Sequence, residues 1–303
     1  MPAPRLSIVV VTYRMQREAP RTVLSLLPPL QRHVEDLDYE IIVVDNGSPN
    51  PLVLGDVAAK APRSVRLVHV APDRASVSPA RCINDAVREH TRGKALMICI
   101  DGARLASSHL VRRTIDILDR HPRAFTFVGS RHLGPKPQMQ SVKEGYDQAV
   151  EDRLLDSVAW ESDLDELYPI SVWAGAHDRR NHLLQNESNA FAMNRATWES
   201  FGGYNEGFSR PGGGLCNLEI FSRYVNRGRG SNVLLYGEAT FHQVHNGAAT
   251  SHDGYFGASL PEHAEVTGRD YVRPVFPFLA DLGERYGRMQ AVGKFLIAGN
   301  AHA

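Results

Sequence analysis

The stretch from residue 94 to residue 107, KALMICIDGARLAS, most sharply limits what this chain can fold into. Residues 95–100 are apolar enough to form a buried strand, and that strand ends on a carboxylate, Asp101, followed by a glycine and a polar turn. In an open α/β sheet, ligands bind at the carboxyl ends of the strands. Because an unpaired buried acid is costly, we expect Asp101 to meet a ligand or a metal ion.

The first half of the chain alternates between apolar, β-branched runs and segments with helical spacing. Further strands are predicted at residues 6–12, 39–44, 65–70 and 125–129, and helices at residues 21–30, 80–89 and 110–120. This alternation predicts an α/β fold with a mostly parallel, Rossmann-like central sheet flanked by helices. The strand at 39–44, like the one at 95–100, is followed by an acid, Asp45.

The second half of the chain is less regular. Its predicted elements are a helix at 142–158, a strand at 188–194, helices at 196–201 and 217–226, short strands at 233–235 and 239–242, and an amphipathic helix within 276–296. Residues 131–187 form a long, irregular, polar stretch. Such stretches inside a compact domain often carry function.

The charge balance and the cysteines exclude several classes of protein. Lysine plus arginine and aspartate plus glutamate both number 34, so no general basic field attracts nucleic acid. Three widely spaced cysteines argue against a disulfide framework and a zinc site, and favour the reducing cytoplasm. No apolar run reaches the roughly 20 residues of a membrane span, and the N-terminal run does not match a signal peptide.

Several strings of residues, taken together, resemble family 2 glycosyltransferases of the GT-A fold. They are LSIVVVTY, EIIVVDNGS, PARCINDAV, KALMICIDGA, SNAFAMNRATWESFGGYNEGF and GGGLCNLEIFSRY. The resemblance covers residues 6–247. It implies a GT-A domain over residues 1–250, with a nucleotide-sugar-binding half at 1–130 and a smaller acceptor-side half at 131–250. Residues 251–303 are then a C-terminal extension of unknown role.

The resemblance implies an inverting glycosyltransferase of the hexosyltransferase type. It would transfer a sugar from a UDP-, GDP- or dTDP-sugar to a hydroxyl of a saccharide or lipid-linked acceptor, in glycan or polysaccharide biosynthesis. Residues 131–187 and the loop at 211–214 are expected to form the acceptor pocket. The extension is a candidate for contact between copies of the chain or with a membrane surface, so the expected location is cytoplasmic or membrane-peripheral.

The resemblance also implies which residues hold the donor. Thr12, Tyr13 and Asp45 correspond to positions that bind the nucleobase and ribose. Arg81 resembles an arginine near the donor, and Arg104, close to the strand end at 101, is a second candidate for a phosphate. An acid before Asn-Gly-Ser can instead bond its own turn. Were Asp45 a nucleotide ligand only, replacing it with alanine would weaken nucleotide binding and leave the melting temperature nearly unchanged.

A divalent cation, Mn²⁺ or Mg²⁺, is the implied cofactor. Asp101 corresponds to the first acid of a DXD motif, and Ala103 stands where the second acid is usual. Dependence on a cation is therefore left open by the sequence. His242 and His245 are the candidates for a histidine that completes the metal site. If they lie on a strand and its trailing loop, only one is expected to face the site, and His245 is preferred.

The catalytic base is the second departure from the family pattern. The usual acidic pair aligns with Cys216-Asn217, and an amide cannot accept the proton of the attacking hydroxyl. Glu219 and Glu187 are the remaining candidates. Glu219 can equally be a helix-start acid paired with Arg223 four residues later.

Two other functions are compatible with the sequence. The missing acids favour a nucleotide-sugar-binding protein without catalysis. A nucleotidyltransferase would need a Gly/Lys-rich phosphate loop after the first strand, and residues 13–19 contain none.

Overall fold

A computed structural model describes residues 3–57, 64–174, 189–245, 247–248 and 254–283, and the backbone of residues 295–298. The strands are β1 (Leu6–Thr12), β2 (Tyr39–Asn46), β3 (Val65–Val70), β4 (Ala95–Cys99), β5 (Arg104–Ala106), β6 (Phe125–Leu133), β7 (Ser171–Trp173), β8 (Phe191–Asn194), β9 (Asn232–His242), β10 (Phe278–Asp281) and β11 (Phe295–Ala298). The helices are α1 (Glu18–Ser25), α2 (Pro79–His90), α3 (Leu110–Arg120), α4 (Gln138–Ser141), α5 (Gln148–Asp156), α6 (Arg195–Phe201), α7 (Cys216–Val225) and α8 (Tyr255–Thr267).

The strands form one mixed sheet in the order β11-β10-β9-β6-β8-β4-β1-β2-β3, with β5 paired to β9 and β7 paired to β6. β1 is parallel to both β2 and β4, β2 is parallel to β3, and β9 is parallel to both β6 and β10. β8 runs antiparallel between β4 and β6. The α/β fold with a mostly parallel central sheet is therefore confirmed.

The central strands are buried on both faces because helices cover the sheet on each side. Every residue of β1, β2 and β4 is buried. The side chains of one face pack with α1 and α3, and those of the other with α2 and α7. Ser78 begins α2 by accepting a hydrogen bond from Ala80 N–H, and Pro79 occupies the first turn, where its missing donor costs little.

The structure corrects two predicted elements and describes a third only in part. The helix expected at 142–158 is interrupted: a single 3₁₀ turn, Val142–Glu144, ends at Gly145 with φ 91°, and α5 starts only at Gln148. The two short strands expected at 233–235 and 239–242 are one strand, β9, which passes through Gly237 at φ 87°. Of the stretch 276–296, within which an amphipathic helix was expected, Phe278–Asp281 and Phe295–Ala298 are strands, and residues 284–294 lie outside the described residues.

Strand β10 is fastened to the sheet by a buried ion pair network. The Arg113 guanidinium lies 2.8 Å from Glu238 Oε1 and 3.0 Å from Asp281 Oδ2, and all three side chains are nearly inaccessible to solvent. Glu238 also accepts a hydrogen bond from Ser107. A cation between two acids satisfies groups that would be expensive to bury singly. The described part of residues 251–303 therefore continues the same sheet.

Candidate metal and nucleotide site

Asp101 is held by the turn that follows β4. Its Oδ1 accepts a hydrogen bond from Ala103 N–H at 3.0 Å. Gly102 is required between them because a Cβ there would lie 2.4 Å from Thr12 Cγ2. The Gly102 carbonyl accepts a hydrogen bond from Thr22 Oγ1 at 2.8 Å, so helix α1 fixes the turn from the other side. The carboxylate is thus presented in one orientation at the strand end.

The surroundings of Ala103 favour an apolar residue at this position. Its side chain is completely buried and belongs to the apolar core under β4 and α1. An acid at this position would place a charge in that core without compensation, which proteins avoid. The Ala103 carbonyl also accepts a hydrogen bond from Gln243 N–H at 2.8 Å. That bond joins the Asp101 turn to the end of β9.

Both candidate histidines meet Asp101. His242 is the last residue of β9, and the chain then turns so that His245 Nε2 lies 3.2 Å from His242 Nε2. His242 Nε2 is 3.9 Å from Asp101 Oδ2. One ligand atom from each of the three residues lies within 4.8 Å of the others. Both histidines, rather than the one expected, lie near Asp101, because the turn after β9 returns His245 onto its neighbour.

The protonation of His242 suits a metal ligand. Gln138 Oε1 lies 2.5 Å from His242 Nδ1, and Gln138 Nε2 donates to the His242 carbonyl at 3.0 Å. The amide oxygen can only accept, so Nδ1 carries the proton and Nε2 presents a lone pair. Burial lowers the pKa of His242 well below its usual range, and the charge of Arg104 adds to the effect. Burial also lowers the pKa of His245, against the charge of Asp101.

These three side chains form a donor set that can hold a divalent cation. Two neutral imidazole nitrogens and one carboxylate suit Mn²⁺ or another transition metal better than Mg²⁺, which prefers oxygen ligands. The ligand atoms converge on one point, while Gln138 fixes the tautomer from outside. Such a cation, held by one carboxylate and two imidazoles, would keep further coordination positions open.

Arg104 lies directly beside this set. It is opposite His242 in the antiparallel pairing of β5 and β9. Its Nε donates to Asp101 Oδ2 at 3.0 Å, and a terminal nitrogen donates to Ser130 Oγ at 3.3 Å. The side chain is 10% exposed. A permanently charged guanidinium therefore faces the same carboxylate oxygen as His242.

A buried charge cluster supports the segment between the two histidines. Both carboxylate oxygens of Glu151 accept the Val244 N–H, at 3.1 and 2.9 Å, and Arg17 donates to the Val244 carbonyl at 3.3 Å. Arg17 also pairs with Glu151 at 3.0 Å and with Glu18 at 2.8 Å. Burial raises the pKa of Glu151 to about 7, although the Val244 hydrogen bond and the Arg17 charge lower it. Sequence reasoning missed Gln138 and Glu151, because both lie in polar segments that look exposed.

Three predicted nucleotide contacts lie at the same edge of the sheet. Thr12 and Asp45 are opposite each other at the ends of β1 and β2. Tyr13 follows directly and is about half exposed, with the Arg14 guanidinium 5.1 Å from its ring centre. Because β4 pairs with β1 in parallel, the Asp101 turn is at this edge too. The topology thus brings the predicted donor residues and the metal ligands to one edge.

The Asp45 carboxylate is occupied by its own turn. It accepts hydrogen bonds from Ser48 Oγ and from Leu52 N–H, the latter at 2.8 Å, and it is 2% exposed. His69 Nδ1 lies 3.4 Å away. The melting temperature of an Asp45→Ala variant is therefore expected to fall, contrary to the sequence-based expectation, because buried donors would lose their acceptor.

Arg81, a candidate for a donor contact, and the aromatic side chain of Trp173 both have other partners. Arg81, on α2, is largely exposed and lies 3.6 Å from Asp85, one turn further along the helix. Trp173 packs over Gly129, and the Arg131 guanidinium lies 4.9 Å from its ring centre. These contacts are those of a surface ion pair and of a packed aromatic side chain.

Glu219 pairs with Arg223, as expected if it is a helix-start acid rather than a catalytic base. The two carboxylate oxygens accept hydrogen bonds at 2.8 and 3.0 Å. The same guanidinium donates to the carbonyls of Phe201, Gly202 and Gly203, so the pair fastens the turn after α6. A surface cavity of about 410 Å³ opens beside it. Glu187, the other candidate base, lies outside the described residues.

A smaller cavity lies beside the metal ligands, within the predicted acceptor side. It has a volume of about 230 Å³ and is lined by Val142, Gly145, Tyr146, Asp147, Gln148 and Val244. Val244 separates the two histidines in sequence, and Tyr146 donates to Glu151 at 3.3 Å. Val244 therefore links the wall of this cavity to the segment that carries the two histidines.

No protein-family model matches the sequence, and no curated protein matches it significantly. Solved structures do resemble the fold. TarS from S. aureus superposes with a TM-score of 0.52 at 12% identity, over 89% of this chain and 41% of that one. GalNAc-T7 with UDP, GalNAc and Mn²⁺ has a TM-score of 0.52 at 15% identity, over 79% and 43%. TarS 1-349 in complex with UDP has a TM-score of 0.50 at 13% identity, over 88% and 67%.

These likenesses show that the chain has the GT-A fold. The chain spans less than half the length of the TarS and GalNAc-T7 chains named first. Within the described residues, none of the helices combines the length and the hydrophobicity needed to cross a bilayer.

Proposed function

We propose that the protein is a glycosyltransferase that uses a nucleotide-diphosphate sugar and a divalent cation. The observation that carries the proposal is the convergence of Asp101, His242 and His245 at the carboxyl edge of a GT-A sheet. Structures with the same fold hold UDP and, in GalNAc-T7, also Mn²⁺. Ligand sites of open α/β sheets lie at this edge.

The donor would bind with its nucleoside near Thr12, Tyr13 and the Asp45 turn and its diphosphate towards Asp101. Bond cleavage leaves negative charge on the departing diphosphate, and fixed positive charge there lowers the barrier. A cation on the two histidines and Asp101 supplies that charge, and Arg104 is placed to add a second, bidentate contact. UDP is the nucleotide found in the similar structures, so UDP-sugars are the first donors to test.

The acceptor would enter from the side of residues 131–187, where the cavity beside Val244 lies. Its hydroxyl must lose a proton as it attacks, and attack opposite to the departing diphosphate would invert the anomeric carbon. Glu187 and Glu219 are the proposed bases. Glu219 could act only if its ion pair with Arg223 opened, which makes Glu187 the first residue to replace. A saccharide or lipid-linked hydroxyl, in the synthesis of a glycan in the cytoplasm or at a membrane surface, remains our proposal for the acceptor.

A nucleotide-sugar-binding protein without turnover is the second candidate. The observation that favours it is the pairing of both Glu219 oxygens with Arg223, together with an amide, Asn217, in the usual place of the base. Such a protein would bind the donor and cation and would not cleave the sugar–phosphate bond.

One experiment separates the two functions. Binding of UDP-, GDP- and dTDP-sugars is measured by calorimetry with and without Mn²⁺, and release of free nucleotide is followed in the same samples. A glycosyltransferase hydrolyses its donor slowly without acceptor, whereas a binding protein does not. Asp101→Asn should weaken Mn²⁺ binding by more than the roughly 10- to 100-fold that loss of a supporting partner costs. Asp85→Asn, on the surface of α2, is the matched control. Absence of nucleotide binding by the unmodified protein would refute both functions.

A further inference from the structure

The cation site and an arginine compete for one oxygen atom. Asp101 Oδ2 accepts the Arg104 Nε–H at 3.0 Å, and the same oxygen is the one that faces His242 Nε2 at 3.9 Å. The other oxygen, Oδ1, accepts the Ala103 N–H within the turn. A cation held by the histidines would therefore bind Oδ2 while that oxygen is still in contact with the guanidinium.

Arg104 cannot relieve this competition by losing its charge, because a guanidinium stays protonated in proteins. The side chain is 10% exposed and is also held by Ser130, so it is not a freely moving surface group. In contrast, the arginines of exposed ion pairs are screened by water and contribute little.

The site offers no net negative charge to compensate a divalent cation unless an anion binds with it. Two neutral imidazoles and one carboxylate offer a single negative charge, and Arg104 already neutralises it. Glu18, the other acid whose charge reaches His245, is itself paired with Arg17 at 2.8 Å. A divalent cation would thus enter a partly buried site whose net charge is close to zero and which holds a guanidinium, where like charges repel strongly. A diphosphate would supply the missing negative charge and a ligand for both cations.

We propose that Arg104 makes the cation site conditional on the diphosphate: free Mn²⁺ binds weakly, and Mn²⁺ and a nucleoside diphosphate bind tightly together. The inference rests on the proposed function, since it assigns the diphosphate of the donor to this place. Coupling of this kind is reciprocal, so Mn²⁺ strengthens binding of the diphosphate by the same factor as the diphosphate strengthens binding of Mn²⁺. Arg104 is the residue that carries the coupling, because its charge opposes one ligand and attracts the other.

Two variants separate the charge of Arg104 from its hydrogen bond. Arg104→Met removes both the charge and the donor. Arg104→Gln removes the charge and keeps an N–H donor in reach of Asp101. If Arg104 only positions Asp101, the glutamine variant should behave like the unmodified protein; if its charge matters, both variants should change together. Arg88→Met is the matched control, because Arg88 forms the same i,i+3 pair with Asp85 on the exposed face of α2.

The test measures Mn²⁺ affinity of the full chain by calorimetry and by electron paramagnetic resonance, first with Mn²⁺ alone and then with UDP, after subtracting the Mn²⁺ that UDP binds in buffer. Both Arg104 variants should bind Mn²⁺ alone at least about tenfold more tightly than the unmodified protein, and UDP should enhance their Mn²⁺ affinity about tenfold less. The Arg88 variant should match the unmodified protein in both arms.

Equal or weaker Mn²⁺ binding by the Arg104 variants would overturn the proposal, and so would a change in the methionine variant alone. Far-ultraviolet circular dichroism establishes that each variant is folded, and the glutamine variant decides the outcome if the methionine variant is not. Failure of the unmodified protein to bind UDP, GDP or dTDP, with or without Mn²⁺, would instead overturn the proposed function, and the measurements with Mn²⁺ alone distinguish the two failures.

Discussion

Replacing Glu151 with glutamine tests the buried charge cluster that supports the metal ligands. Glu151 is fully buried, and burial raises the pKa of its carboxyl from an ordinary 4.5 to about 7. The folded protein therefore binds a proton at Glu151 between these two pH values more readily than the unfolded chain does. An acid with a raised pKa stabilises the fold most at low pH, and this contribution disappears as the pH rises through about 7.

The size of the effect follows from the two pKa values. With one pKa unit equal to about 1.4 kcal/mol, the Glu151 contribution to the free energy of unfolding is about 2.5 kcal/mol at pH 5 and nearly zero at pH 8. Glutamine does not titrate but can still accept the Val244 N–H. The free energy of unfolding of the unmodified protein should thus fall by about 2.5 kcal/mol more than that of Glu151→Gln between pH 5 and pH 8.

Urea denaturation at pH 5, 6, 7 and 8 measures this difference, because titrations common to both proteins cancel. Glu144→Gln is the control: this exposed acid pairs with Lys136 at the surface, and its loss should change stability by less than about 1 kcal/mol at every pH. Parallel curves for the unmodified protein and Glu151→Gln would show that Glu151 is already ionised at pH 5 in the folded state, and the account of the buried cluster would then be incorrect.

Two further predictions concern stability and use thermal and chemical denaturation. Gly102→Ala should lower the free energy of unfolding by about 1–3 kcal/mol, because its Cβ would lie 2.4 Å from Thr12 Cγ2, and it should weaken Mn²⁺ binding by moving Asp101. Gly257→Ala, in α8 where a Cβ meets no neighbour, should instead raise stability by about 0.5–1 kcal/mol, and equal changes in the two variants would contradict the packing argument. Asp45→Ala should cost about 1–3 kcal/mol by leaving Leu52 N–H and Ser48 without their acceptor; an unchanged melting temperature would restore the interpretation of Asp45 as a nucleotide ligand only.

The strands that form the centre of the sheet could be predicted because local composition decides them. β1 and β4 are continuous apolar runs, and their burial on both faces leaves few alternatives. The position of Asp101 at a strand end followed from the same runs. The apolar residues of the tail were harder to interpret. Phe276 and Phe278 are buried against Phe127 of the sheet, and this tertiary contact, which spacing in the sequence does not reveal, favours the strand at Phe278–Asp281.

The candidate site could be predicted only in part, because its supporting contacts join distant segments. Gln138 is 104 residues from His242 in sequence, and Glu151 is 93 residues from Val244. Neither residue differs locally from an exposed polar side chain. Ala103 was interpreted as a lost acid, whereas its place in the core shows a packing requirement. The i,i+4 pair of Glu219 and Arg223, by contrast, is encoded within one helix and was predictable.

The position of strand β10 in the sheet limits where the chain can be truncated. It hydrogen-bonds to residues 233–235 of β9 and supplies Asp281 to Arg113. Removing it would expose unpaired main-chain donors and acceptors along β9, which is the kind of open edge that recruits strands from other molecules. Strand β9 also ends in His242. Self-association of a truncated protein and displacement of His242, a proposed cation ligand, would therefore arise together, from damage to a single strand.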